Sequence, residues 1–182
     1  MELTNYGITL QRLTEDKIEL VRTWRNDPKI QQFMEFRDYI TPEMQISWFK
    51  RINNEHNYYF IVVWNNKEIG LANIKDIDYI EGSAETGLFL YDDLYWNSDV
   101  AVRAVLCMND FMWDNLSLKK SVIHVMKNNI RAIQFNKYLG YRLEDGQEEK
   151  TNQKYVLDVA TAKANKKITK IKQMLLVMSG ST

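Results

Sequence analysis

The sequence predicts a mixed α/β protein built on one sheet, and three observations predict it. Strand patterns dominate the first half, at Ile8 to Leu13, Tyr58 to Trp64, Glu68 to Ile80 and Ala84 to Tyr91. A long amphipathic helix, Val100 to Leu116, then opens an alternation of strand and helix. A closing hairpin, Arg142 to Glu149 with Gln153 to Ala162, follows. Strands before helices, then strand and helix in turn, argue for helices laid on a mixed sheet.

Ile8 to Leu13 alternates apolar and polar residues and suits a strand with one face partly wet. Thr14 stands at an N-cap position ahead of Ile18, Val21 and Trp24, so a helix is expected from near Glu15. It should stop at Asn26-Asp27-Pro28, because the residue before proline is pushed out of the helical region. A short helix from Pro28 carries Ile30, Phe33 and Met34. Another starts after the cap Thr41, with Pro42 at its first position and Ile46, Trp48, Phe49 and Ile52 behind. Asn65-Asn66-Lys67 is a turn rich in residues that tolerate left-handed backbone, so a hairpin joins the next two strands. On the strand Ala84 to Tyr91, Glu85 and Gly87 share one face while Ala84, Thr86 and Leu88 share the other. Gly87 marks either a bulge or a packing position.

In the second half, Val100, Ala104, Val105, Met108, Phe111 and Met112 give the long helix a half-buried face. Lys120 to Met126 reads as a strand and Asn129 to Tyr138 as a helix closed by Leu139-Gly140-Tyr141. In the tail, Ile168, Ile171, Leu175 and Met178 recur at helical spacing among lysines. Two units are expected: a domain over residues 1–162 and a helical extension over 163–182.

A chain of 182 residues fits one domain of ordinary size. Acidic and basic residues balance at 24 each, which gives no global field for nucleic acid or an anionic membrane. The single cysteine, Cys107, excludes an internal disulfide, and no run approaches the ~18 apolar residues of a membrane span. The first ten residues lack a basic region followed by an apolar core, so a cytoplasmic setting is expected. His56, His124 and the distant Cys107 make no metal site.

Each of the two β-to-α turns leaves backbone N–H groups free at a helix N-terminus, a place for phosphate or a carbonyl oxygen. Asn97 and Ser98 are turn residues, and Asp99 is expected to cap the long helix, although a carboxylate there repels phosphate. Arg103, one turn inside, would offset that repulsion. His124 alternates with Val122 and Met126 and reads as a sheet residue. Trp24, Arg25 and Trp48 suit a nucleotide base and phosphate by stacking and charge.

The segment Asn129-Ile130-Arg131-Ala132-Ile133-Gln134-Phe135-Asn136-Lys137-Tyr138-Leu139-Gly140-Tyr141 resembles the closing signature of the GCN5-related N-acetyltransferases, the GNAT superfamily. It matches at Asn129, Ala132, Phe135, Gly140 and Tyr141 and departs at Asn136, where the family usually has a tyrosine. By element order the resemblance covers roughly residues 8 to 162. It implies a sheet of about seven strands, mostly antiparallel, splayed between strands four and five and flanked by helices. It also implies acetyl-CoA as co-substrate, with no metal, and a small-molecule amine acceptor, with a homodimer as the family-level assembly. Trp24 to Trp48 resembles the subgroup that acetylates amino groups of nucleotide-linked sugars, and alanine N-terminal acetyltransferases of ribosomal proteins are near. Gln45 departs where that subgroup commonly has histidine.

The resemblance also assigns roles. Glu85 would be the general base. Tyr138, two residues past Asn136 and about 200° round the helix, is the remaining tyrosine near the thiolate. Leu88, Phe89 and Leu90 would line the pantetheine arm. Asn97, Ser98, Asp99, Val100, Ala101 and Arg103 would meet the phosphates, with only Ala101 matching the family's loop. Asn129, Ala132 and Phe135 complete the cofactor side. Trp24, Arg25, Asn26 and Trp48 would meet the acceptor. A protein N-terminus, or a polyamine drawn by Glu35, Asp38 and Glu43, are alternative acceptors, and a non-catalytic binding module on the same fold is the rival from another class.

Overall fold

A computed structural model describes residues 1–180. Among them eight strands form one sheet: β1 (Glu2–Asn5), β2 (Ile8–Arg12), β3 (Tyr58–Trp64), β4 (Lys67–Asp78), β5 (Ser83–Leu90), β6 (Lys120–Met126), β7 (Arg142–Leu143) and β8 (Asn152–Asp158). Their order is β1-β2-β3-β4-β5-β6-β8-β7, and every pair is antiparallel except β5 with β6. The extra strand is β1. It folds back on β2 through Tyr6 and Gly7, both at positive φ (54° and 73°), a two-residue turn whose twist suits a hairpin. The Asn65-Asn66 turn has the same geometry, with φ 50° and 61°.

Between β2 and β3 lie α1 (Ile18–Asn26), α2 (Pro28–Gln31) and α3 (Pro42–Ile52). Thr14 is extended but its side chain caps nothing; a 3-10 turn over Glu15–Lys17 precedes α1 instead. Thr41 does cap α3, its hydroxyl accepting from the Met44 N–H. Gln45 is buried and donates to the Ile18 carbonyl at 2.8 Å, which ties α3 to α1. These helices cover one sheet face, packing Val21, Trp24, Phe49 and Ile52 on Ile61 and Leu71.

The opposite face is covered by α4 (Val100–Asp110), which runs on into a π-helical turn over Phe111–Asn115, and by α5 (Ile130–Leu139). Gly140, at φ 102°, closes α5, and the Tyr141 N–H returns to the Asn136 carbonyl at 3.0 Å. Beyond β8 the chain is helical where a longer strand was expected: α6 (Val159–Ala164) is alanine-rich, and α7 (Lys166–Ser179) follows. The tail is no loose appendix. Ile168 and Leu175 are buried in the same cluster as Leu106 and Met112, and Lys172 pairs with Asp110. No helix among the described residues is long and apolar enough to cross a membrane.

Candidate active site

The sheet forks. Backbone pairing between β5 and β6 covers only Ser83 with Lys120, Ala84 with Ser121 and Glu85 with Val122, after which the strands part. A wedge of hydroxyls stands where the ladder ends. Thr86 Oγ1 lies 2.8 Å from Ser121 Oγ, and the buried Tyr141 hydroxyl lies 2.7 Å from the same oxygen. Burial pushes the Tyr141 phenol above its ordinary pKa, against the hydrogen bonds from its neighbours, so it stays a neutral hydrogen-bonding plug.

The Tyr91 N–H donates to the Ile69 carbonyl, so the backbone groups of Phe89 and Gly87, two and four residues back, also face β4. Those of Leu88 and Leu90 therefore face the fork. The Leu90 carbonyl takes the Trp96 indole N–H at 2.8 Å. The Leu88 N–H is thus directed into the cleft, where it suits a thioester oxygen. Gly87 sits in regular register opposite Asn73, so it is not a bulge; the irregularity lies on β4 near Asp76, at φ 52°. Gly87 is a packing glycine, because a Cβ there would stand 2.8 Å from Asn73 Oδ1.

A cleft of about 1380 Å³ passes through the fork. Leu88, Phe89, Leu90, Ala101, Asn129, Ala132 and Phe135 line it. Asn129 also caps α5, accepting from the Ala132 N–H at 3.2 Å. Asn136 lines the cleft with its amide donated to the Ala132 carbonyl, so it offers no acid. Trp96 and Arg131, which the sequence did not single out, stand at the mouth with the guanidinium 4.3 Å from the indole centroid.

The turn before α4 differs from expectation. Asp99 does not cap the helix; Ser98 Oγ accepts from the Val100 N–H at 3.3 Å, and the Val100 side chain is buried in the core. Asn97, Ser98, Asp99 and Val100 do not line the cleft. Arg103 is buried beneath the turn, held by Asp99 and by the Tyr6 carbonyl, so it offers no direct contact to a ligand. The Asp99 charge is nonetheless compensated. The first-turn N–H groups of Ala101 and Val102 remain the ones a phosphate would address.

Acid–base chemistry gathers on the acceptor side, where Glu85, Lys75 and His124 all line the cleft. Glu85 Oε1 lies 3.0 Å from Lys75 Nζ and Oε2 lies 3.1 Å from His124 Nδ1. Burial pulls the Lys75 ammonium down, but the hydrogen bond and charge of Glu85 outweigh it and hold its pKa above the ordinary value. His124, read from the sequence as a plain sheet residue, is two residues past the last backbone pair. Parity places it beside Glu85 across the fork, a relation visible only once the register is known.

Tyr138 is not at the site. Its ring is exposed and carries Lys167 Nζ at 3.6 Å from the centroid, because its turn of α5 faces α7. Trp24 is likewise a core residue, stacked on Tyr91 at 5.7 Å. Asn26 pins a loop by accepting from the Ile40 N–H and donating to the Ile40 carbonyl. Arg25 and Trp48 do line the acceptor half, with Arg51, Glu35 and Glu43; Asp38 does not. Arg25 has no carboxylate partner among the described residues, and burial lowers its guanidinium from the ordinary value.

The family model for the acetyltransferase (GNAT) domain matches residues 8–142. The chain is 26% identical to acetyltransferase PseH of Campylobacter jejuni over 129 residues, covering 69% of this chain and 79% of that protein. It is 22% identical to the uncharacterized protein MJ1062 of Methanocaldococcus jannaschii over 138 residues, covering 74% of this chain but spanning only 28% of that protein's length. Among solved structures, apo FdhC, a nucleotide-linked sugar GNAT, superposes with a TM-score of 0.77 at 23% identity, covering 94% of this chain and 97% of FdhC. Spermidine N-acetyltransferase of Vibrio cholerae in complex with CoA and spermine gives a TM-score of 0.74 at 19% identity, covering 87% of this chain and 99% of that one. At these identities the structural likeness is one of fold.

Proposed function

The chain belongs to the GNAT acetyltransferase family, and from that premise we propose that it moves an acetyl group from acetyl-CoA to the primary amine of an amino sugar linked to a nucleotide. The observation that carries the acceptor is Arg25. A half-buried guanidinium that faces a cleft without a carboxylate partner among the described residues favours an anion that can pair with it. A nucleotide diphosphate supplies that anion, and Trp48 beside it supplies a face for a base.

Direct attack fits the cleft. The pantetheine arm would lie in the fork along Leu88 to Leu90, the thioester oxygen would meet the Leu88 N–H, and proton removal would centre on Glu85. Residues 1–162 would form the catalytic domain, with 163–182 as a C-terminal helical extension. A cytoplasmic location and a homodimer belong to the same reading.

A polyamine is the second reading, favoured by Glu35 and Glu43 on the cleft wall and by the likeness to spermidine N-acetyltransferases. Calorimetric titration with acetyl-CoA, against desulfo-CoA and adenosine diphosphate, tests the cofactor. A CoA-release screen of nucleotide-linked amino sugars against spermidine then tests the acceptor. Arg25→Gln should weaken the nucleotide-linked acceptor and leave spermidine unaffected. The converse pattern would replace the amino sugar with a polyamine. Absence of acetyl-CoA binding would leave a non-catalytic module on this fold.

A further inference from the structure

We propose that the proton acceptor of the reaction is His124, through Nε2, and that Glu85 is the carboxylate that orients it. The proposal rests on the acetyltransferase reading above and changes which group takes the proton.

Three observations carry it. Both oxygens of Glu85 are engaged, one by the Lys75 ammonium at 3.0 Å and the other by His124 Nδ1 at 3.1 Å. A carboxylate whose two oxygens are held by a lysine and a ring N–H leaves neither oxygen turned free toward the acceptor. Second, a ring nitrogen held by a carboxylate is the protonated one, so Nδ1 carries hydrogen and Nε2 presents its lone pair. Third, His124 lines the cleft and is part-exposed, so Nε2 is open to an incoming amine and to water. Glu85 and His124 come from opposite arms of the fork, Glu85 in the last backbone pair and His124 two residues past it. The pair therefore stands on the cleft wall, with Glu85 three residues before Leu88 on β5.

The other charges around the ring are accounted for. Lys154 is the cross-strand neighbour of His124 on β8, and it is tied at 2.9 Å to Glu144 next to β7. Lys120, on the same strand as His124, also reaches Glu144, at 3.9 Å. Asp76 on β4 pairs with Lys75 at 3.3 Å. Glu85 is thus the carboxylate in direct contact with the imidazole.

The acceptor ammonium gives one proton to Nε2, and the imidazolium releases it to water. The neutral amine attacks the thioester carbon, forming the C–N bond and placing the negative charge on the carbonyl oxygen at the Leu88 N–H. Collapse breaks the C–S bond with its electron pair on sulfur. The second nitrogen proton ends on the thiolate, giving CoA and the amide.

The ring can be followed by nuclear magnetic resonance without any acceptor, with His56 as internal control. In its neutral form the His124 ring should carry hydrogen on Nδ1, and Glu85→Ala should shift it toward the tautomer with hydrogen on Nε2 while the His56 ring is unchanged; an unchanged His124 tautomer overturns the dyad. With an acceptor that turns over, His124→Gln should lower kcat about a hundred- to ten-thousandfold, the range general-base loss gives. It should also abolish the acid limb of the kcat/KM profile, with acetyl-CoA affinity kept. Glu85→Gln should cost about ten- to a hundredfold and keep that limb. The reverse order, with Glu85→Gln the more damaging and His124→Gln retaining its acid limb, returns the base to Glu85. Loss of acetyl-CoA binding in the wild type would refute the acetyltransferase reading instead, and the resonance experiment would still decide the pair.

Discussion

Arg103 Nη2 lies 2.7 Å and Nε 2.9 Å from Asp99 Oδ2, one helical turn away, with the guanidinium buried and the carboxylate about half exposed. The pair neutralises an acidic residue beside the turn that would receive phosphate. Arg103→Met should uncover that charge and weaken acetyl-CoA binding about three- to tenfold, the ~1 kcal/mol scale of an exposed charge interaction. The loss should shrink at high salt. Adding Asp99→Asn to Arg103→Met should restore affinity, and calorimetry of the two variants checks it. Stability should fall by about 1–3 kcal/mol in both, because the Tyr6 carbonyl loses its charged donor.

Two glycines on paired strands should respond differently to alanine. A Cβ on Gly70 would stand 2.2 Å from the Phe89 carbonyl oxygen, so the backbone of β5 must move. At Gly87 the obstacle is the end of the Asn73 side chain, which can turn away. Gly70→Ala should cost about 3 kcal/mol or more and disturb the cleft wall at Phe89, whereas Gly87→Ala should cost about 1 kcal/mol. Urea unfolding of both variants reads the difference directly.

Most of the strands and helices were legible because they rest on local signals. Thr41-Pro42, Asn65-Asn66 and Asn129 through Gly140 specify caps and turns by residue type alone. What was not legible depends on register and on partners distant in sequence. Asp99 reads as a cap by position, but its carboxylate accepts from Arg103, whose guanidinium also donates to the Tyr6 carbonyl. Tyr138 was placed near the thiolate by counting along the helix, but α7 takes up that face. His124 gained its carboxylate neighbour from the pairing of β5 with β6, which no spacing within either strand discloses. The hairpin strand β1 is short and mostly polar, so its pattern is weak.

Alkaline stability should depend on Cys107. Burial, followed by the charge of Asp110, pushes its thiol from the ordinary 9.0 up to about 12. The unfolded chain loses this proton first, so the stabilising contribution is complete below pH 9 and is lost as pH rises from 9 to about 12. Tyr6 and Tyr141 are shifted upward too, but from an ordinary value of 10.0, so the interval between pH 9 and 10 reports chiefly on the cysteine. The urea midpoint should fall across that interval in the wild type and fall less in Cys107→Ala. The native thiol should also resist iodoacetamide at pH 8, since thiolate is the reactive form.

The C-terminal helix should contribute to global stability through one face only. Leu175 is 5% exposed and packs in the cluster that includes α4, whereas Val177, two residues on, is 70% exposed. The same helix is anchored by Lys172 to Asp110, which also accepts the Tyr6 hydroxyl, so α7, α4 and the first hairpin share one polar knot at the edge of that cluster. Truncating a buried leucine removes its transfer free energy and leaves a cavity, so Leu175→Ala should cost about 2–4 kcal/mol. Val177→Ala should stay within about 0.5 kcal/mol, as exposed sites do. The transition should remain single for both variants, because a face buried in the main core unfolds with it. Equal and small effects at the two positions, or a separate early transition in Leu175→Ala, would mean that the helix melts independently of the sheet.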